Sequence, residues 1–154
     1  MRCQRFLLGS LLSLVLTAVL LGCRPSTPLC EYHSVNPRGW STLDTLRFQL
    51  RADCVSTQRT ISLGVRFTER VEYRDLLLVV EQRGQSVAAH RDTLCLPLAG
   101  EDGRWFVEGN VYHEVRGECA TLQTTAGQPL ELLLYHIMPE QNILGFTEAG
   151  VMVK

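Results

Sequence analysis

Two stretches of the chain alternate apolar and polar residues one by one. Leu46, Phe48 and Leu50 interleave with Arg47, Gln49 and Arg51, and Ile61, Leu63, Val65 and Phe67 interleave with Ser62, Gly64, Arg66 and Thr68. Successive side chains of a strand point to opposite faces, so each stretch presents one apolar face and one polar face. That is the pattern of half-buried antiparallel strands. The unbroken apolar run from Leu76 to Val80 suits a strand covered on both faces. The turn Arg83-Gly84-Gln85-Ser86 and a returning strand from Val87 to Leu98 make it half of a hairpin. Further strands are expected at Trp105 to Val107, after the turn Gly100-Glu101-Asp102-Gly103, at Leu130 to Met138 and at Gly150 to Lys154. Residues 108–127 carry no clear period. Many short strands separated by Gly, Pro and Asp predict an all-β fold, an antiparallel β-sandwich of Ig-like or jelly-roll-like type. Asp44-Thr45-Leu46 and Asp92-Thr93-Leu94 echo each other; an Asp bonding backbone amides as the chain leaves a turn, followed by a strand-favouring Thr, accounts for the echo without a repeat.

Ahead of the strands stands a leader. Arg2 and Arg5 give a positive start, residues 6–21 are almost wholly apolar, and Leu20-Leu21-Gly22-Cys23 closes the run as a bacterial lipoprotein signal does. Arg24-Pro25-Ser26-Thr27-Pro28 cannot continue a helix, since proline lacks the amide hydrogen and turns its predecessor away from the helical region. A membrane span needs about 20 apolar residues, so the reading is a lipoprotein signal peptide over 1–22, lipidation at Cys23, a tether over 23–30 and one domain over 31–154. The alternative is an ordinary cleaved signal with an incidental cysteine. Removing 22 of the 154 residues leaves 132, enough for one core. It also leaves 13 basic against 16 acidic residues, a net charge of −3. The basic residues are scattered, which excludes a phosphate-tracking stripe and a polybasic membrane patch, so no nucleic-acid partner is expected.

Cys3 leaves with the signal and Cys23 is taken by the lipid, so Cys30, Cys54, Cys95 and Cys119 remain as an even set in an oxidising compartment, where disulfides form. Four cysteines allow three connectivities. The other reading is that some are reduced core residues. Cys95, set opposite Leu94 and Leu96 by strand alternation, belongs on the polar face. None of the spacings is that of a zinc site.

A search for catalytic groups finds no glycine-rich phosphate loop, no Gly-x-Ser-x-Gly elbow and no His-Glu-x-x-His pair. His33, His90, His113 and His136 are dispersed; His113 and Glu114 are adjacent and would point apart on a strand. His136 reads as a satisfied or partly exposed strand residue. Trp40 and Trp105 read as plugs over the sandwich end, the alternative being exposed anchors for a partner. Arg104 can reach Asp102 or stack on an aromatic face. No enzyme activity, metal or cofactor is expected.

Glu31-Tyr32-His33-Ser34, then Gly39-Trp40, Asp44 and Phe48, resembles the opening of the GldH-family gliding-motility lipoproteins of the Bacteroidetes. Arg66 with Tyr73, Leu76 and Leu78 is similar to that family's second and third strands. Asp92-Thr93-Leu94, Leu98, Asp102-Gly103-Arg104-Trp105 and Gly109 resemble its central signature, and Leu144 to Val151, with Gly145 and Gly150, its closing strand. The resemblance covers about Glu31 to Lys154. Val107 replaces a glycine usual after the tryptophan, Pro139 stands where arginine is usual, and the mature cysteines are peculiar to this member. The resemblance implies a lipid-anchored envelope accessory of gliding or type IX secretion machinery, non-catalytic, holding other envelope proteins. It makes Trp40, Asp44, Arg66, Tyr73, Asp92, Arg104, Trp105, Gly109, Gly145 and Gly150 the expected structural or partner-contacting residues. The competing reading is a sandwich that binds a glycan or a peptide. With no acidic cluster after Cys23, the expected location is the outer membrane, acylated by chains such as palmitate and facing the periplasm.

Overall fold

The computed structural model describes residues 29–50, 59–84, 89–107, 109, 111–122 and 129–153. Among these, the regular elements are strands: β1 (Leu29–Ser34), β2 (Trp40–Ser41), β3 (Leu46–Leu50), β4 (Thr60–Phe67), β5 (Asp75–Gly84), β6 (His90–Pro97), β7 (His113–Thr121), β8 (Leu130–His136), β9 (Asn142–Ile143) and β10 (Phe146–Val153). One sheet has the order β1-β10-β4-β7 and the other β3-β8-β5-β6, while β2 and β9 form a short ribbon. Neighbours are antiparallel throughout. From the β5–β6 hairpin outward, β4 pairs with β7, β3 with β8 and β1 with β10, and these nested pairs fall alternately in the two sheets. The chain is thus one long hairpin rolled over itself, which is the jelly-roll member of the expected sandwiches.

The alternating stretches sit as their pattern requires. Phe48, Ile61, Leu63, Val65, Phe67, Leu96 and Leu132 are buried between the sheets. Leu46 and Leu94, expected with them, are only partly covered. In β5, Leu76, Leu78 and Val80 face the core, and Val79 is buried on the other face by its central position.

Several boundaries differ from expectation. Leu29 and Cys30, assigned to the tether, already pair with Val153 and Met152 in β1. Trp105 to Val107 is no strand; only an isolated bridge joins Ala99 and Trp105. The last strand begins at Phe146. β7 occupies the stretch without a period because its inward positions are His113, Val115, Gly117 and Cys119, only one of them a branched apolar residue. Gly117 is small for a reason: a methyl there would lie 2.9 Å from Leu96 Cδ1 and 3.1 Å from Leu94 Cδ2, where β6 closes against β7. Asp92 lies within β6 rather than at a turn, so the turn explanation holds for Asp44 alone.

Cys30, Cys95 and Cys119 carry free thiols, contrary to a disulfide among them. They lie on three different edge strands. Cys30 and Cys95 are exposed, whereas Cys119 packs against the core. Cys23 and Cys54 lie outside the described residues.

The register places four connections, 35–45, 68–74, 98–112 and 137–145, at one end of the sandwich. Leu29 and its partner Val153 mark the opposite end.

Candidate functional site

The loop end holds most of the residues that the resemblance singled out. Trp40, Asp44, Tyr73, Arg104, Trp105, Gly109 and Gly145 all lie in its loops or the β2–β9 ribbon. Trp40 is fully buried, pairs with Ile143 across the ribbon and meets His136 and Phe146 edge-on at 5.2 and 6.2 Å. Its indole N–H donates to the Asp44 carbonyl at 3.3 Å, and the Asp44 carboxylate accepts the Ser41 amide. His136 is fully buried: Nε2–H donates to the Trp40 carbonyl at 3.0 Å and Nδ1 accepts the Met138 amide at 3.3 Å. Burial pushes its pKa down, which favours the neutral ring these bonds need.

A second group locks the remaining loops. Glu69 accepts the Trp105 indole N–H at 2.9 Å through Oε2, and its Oε1 lies 2.7 Å from His113 Nε2. The indole bond and then the histidine bond hold the Glu69 carboxyl below its usual range. Nδ1 of buried His113 lies 2.7 Å from the Val107 carbonyl, so both ring nitrogens face acceptors. Trp105 is half-buried, packed against the core and edge-on to Phe67 at 5.0 Å. Gly145 has φ of 88°, and a methyl there would lie 2.6 Å from the Val71 nitrogen. Its carbonyl accepts the Thr68 amide at 2.9 Å. The Arg74 carbonyl accepts the amides of Leu98 and Ala99, and Phe106 N–H donates to Leu98. Tyr73 packs against the core, Arg104 Nε stands 3.7 Å from Asp102 Oδ2, and Gly109 lies against the Tyr112 carbonyl.

Several polar groups at this end thus bond loop to loop, and the outward surface mixes exposed charged residues, such as Arg38, Arg70, Glu72 and Arg104, with exposed apolar ones. Leu43 (79 % exposed), Phe106 (59 %) and Val111 (81 %) stand out, with Val107, Tyr112, Ile137 and Leu144 also exposed. As exposed residues of this end, Leu43, Val111, Tyr112, Ile137 and Glu69 were not singled out in the sequence. Phe106 reads there as part of a strand and Val111 falls in the stretch without a period, so no signal marked them.

Arg66 and Gly150 lie instead on the outer face of the β1-β10-β4-β7 sheet. Arg66 donates to Glu114 at 2.8 Å and Glu148 at 2.5 Å, and its guanidinium lies 4.3 Å from the Tyr32 ring centre. Burial acts to raise the Glu114 carboxyl, but hydrogen bonds from Arg66 and Arg116 outweigh it and hold the pKa down. Tyr32 lies over Gly64 and Gly150, where added methyl groups would overlap its ring or hydroxyl.

Asp92 stands apart on β6. His90 Nε2 is 3.0 Å from its Oδ2, yet that oxygen is buried without a properly aligned hydrogen bond. Burial first, and Asp92 second, push the Cys119 thiol up to about 11, which keeps it protonated. Among the described residues, no three His, Cys, Asp or Glu side chains gather as metal ligands. His113 and Glu114 point to opposite faces of β7, as their adjacency requires. A shallow depression of about 320 Å³ lined by Gln49, Arg83, Gly84, Pro129, Leu130 and Glu131 carries no aromatic side chain.

No curated protein matches the chain significantly. The family model described as GldH lipoprotein matches residues 29–153, from the first residue of β1 to the last of β10. The chain belongs to the GldH lipoprotein family and is a lipid-anchored protein of the cell envelope.

Proposed function

We propose that this protein is a non-catalytic accessory of gliding-motility and type IX secretion-related machinery, anchored through Cys23 and acting by holding other envelope proteins. The observation that carries the reading is the division of labour at the loop end. Its oriented polar side chains are occupied in joining loops, with Glu69, His113 and His136 each bonded on both sides. A general base needs a free lone pair within reach of a substrate proton, and both nitrogens of each of these rings are engaged. The outward surface carries exposed large apolar side chains, Phe106 and Val111 among them, amid exposed charged ones, a mixture that suits contact with another protein.

The glycan- or peptide-binding reading has less support. Such a module needs a concave face with grouped aromatics, whereas Trp40 is buried, Trp105 is half-buried and the depression near Glu131 has no ring in it. An outer-membrane site facing the periplasm agrees with the residues after Cys23, which include no acidic cluster. Deleting the gene tests the function: gliding or secretion, or the abundance of other envelope proteins, falls. Unchanged motility, secretion and envelope composition would contradict it.

A further inference from the structure

We infer that His113 and Glu69 form a proton-operated latch between the 68–74 and 98–112 connections, closed while the imidazole is cationic and open once the ring loses a proton. This latch does not depend on the proposed holding function. Nδ1 lies 2.7 Å from the Val107 carbonyl and Nε2 lies 2.7 Å from Glu69 Oε1, in a side chain that is 4 % exposed. A carbonyl oxygen only accepts, and so does an ionised carboxylate. Glu69 is held in its ionised form first by the Trp105 indole N–H and then by His113. A neutral imidazole has one N–H, so it satisfies one of these partners and turns a lone pair on the other. Both contacts together require a proton on each nitrogen.

The two partners are not equivalent when one proton leaves. The Val107 carbonyl is part of the backbone and cannot turn away by itself, whereas the Glu69 side chain is 76 % exposed and can swing into water. The neutral ring therefore keeps Nδ1–H on Val107 and faces Glu69 with the Nε2 lone pair, which repels the carboxylate. As Glu69 leaves, the Trp105 indole N–H that it accepts at 2.9 Å loses its partner too. Nothing else charged takes the place of Glu69 against the ring. Phe67 of β4 and Trp105 lie 5.3 and 5.5 Å from it and carry no ionisable group, and Glu114 points to the other face of β7, where it binds Arg66. Among the described residues, Arg70, Glu72, Glu101, Asp102 and Arg104 of the two connections are exposed, and none bonds to the ring. The latch is thus closed on the acid side of the His113 titration and open on the alkaline side.

The test uses the full-length lipoprotein in detergent, isotopically labelled at the histidine ring nitrogens and followed by NMR between about pH 5 and 8, the range in which histidine changes charge. At the acid end both His113 nitrogens are expected to carry protons, and at the alkaline end Nδ1 alone. Over the same step acrylamide quenching of tryptophan fluorescence should rise, and because Trp40 is fully buried the change reports Trp105. In Glu69→Gln the quenching step should shrink or vanish: the Gln oxygen accepts the indole N–H while its amide donates to the neutral Nε2, which holds the latch with an uncharged ring. Glu69 is exposed, so the variant should keep the wild-type circular dichroism. A His113 ring that stays neutral, or stays doubly protonated, across the range would overturn the inference. So would a neutral ring with its proton on Nε2, a quenching step that does not follow the His113 titration, or an undiminished step in Glu69→Gln.

Discussion

His136 joins a strand, the β2–β9 ribbon and the following turn through one buried ring, and this requires it to be neutral. Because its folded pKa lies below the ordinary value of about 6.5, the pH dependence has a definite sign. Above about pH 7 the ring is neutral folded or unfolded, and its contribution is complete. As pH falls through about 6.5 the unfolded chain takes up a proton that the folded chain refuses, so stability drops until the folded pKa is reached. NMR titration of the His136 ring should give a midpoint below 6.5, and a midpoint at or above it would contradict the geometry. Gly145 is the second informative residue. With φ of 88° and the Val71 nitrogen in the path of any Cβ, Gly145→Ala should cost about 1–3 kcal/mol in urea denaturation. Neither role is readable from the sequence: His136 follows Tyr135 in an otherwise leucine-rich strand, and its partners Trp40 and Met138 come from different segments.

At the scale of elements, legibility tracks how regularly a strand divides apolar from polar. β3 and β4 were plain in the sequence because branched and aromatic residues fill one face. β7 was hidden because its inward face serves His113 as a strut and Gly117 as a clearance. β1 was hidden because its partners lie more than a hundred residues away. The core those strands share is tested by Phe67, fully buried against Trp105, His113 and Phe146, and by Phe48, stacked on His33 at 4.5 Å. Truncating either to alanine should cost roughly 3–5 kcal/mol, seen as a lower denaturant midpoint. On the outer face, Tyr32 covers two glycines paired across β10 and β4, an arrangement in which an aromatic shields backbone left bare by missing side chains. Gly150→Val should displace Tyr32 and expose its ring, read as increased quenching of tyrosine fluorescence relative to a Tyr32→Leu control.

For the whole molecule, the sandwich class, its antiparallel pairing and the β5–β6 hairpin were legible, while the choice of jelly roll depends on pairings such as β1 with β10 that no local pattern encodes. Seven of the ten expected motif residues lie in or beside the loop end, and Leu43, Phe106 and Val111, exposed there, belonged to no motif. The described chain enters the sandwich at one end and the four loop connections lie at the other. That this protein works as an anchored holder is our proposal, and one comparison addresses it directly. A deletion strain is complemented with the wild-type gene or with Cys23→Ser, at matched protein amounts, and gliding, secretion and envelope composition are measured. Wild type should restore all three, and Cys23→Ser, folded but released from the membrane, should restore none. Full restoration by the released protein would contradict the claim, because a holder that works without its anchor is not holding anything to the membrane.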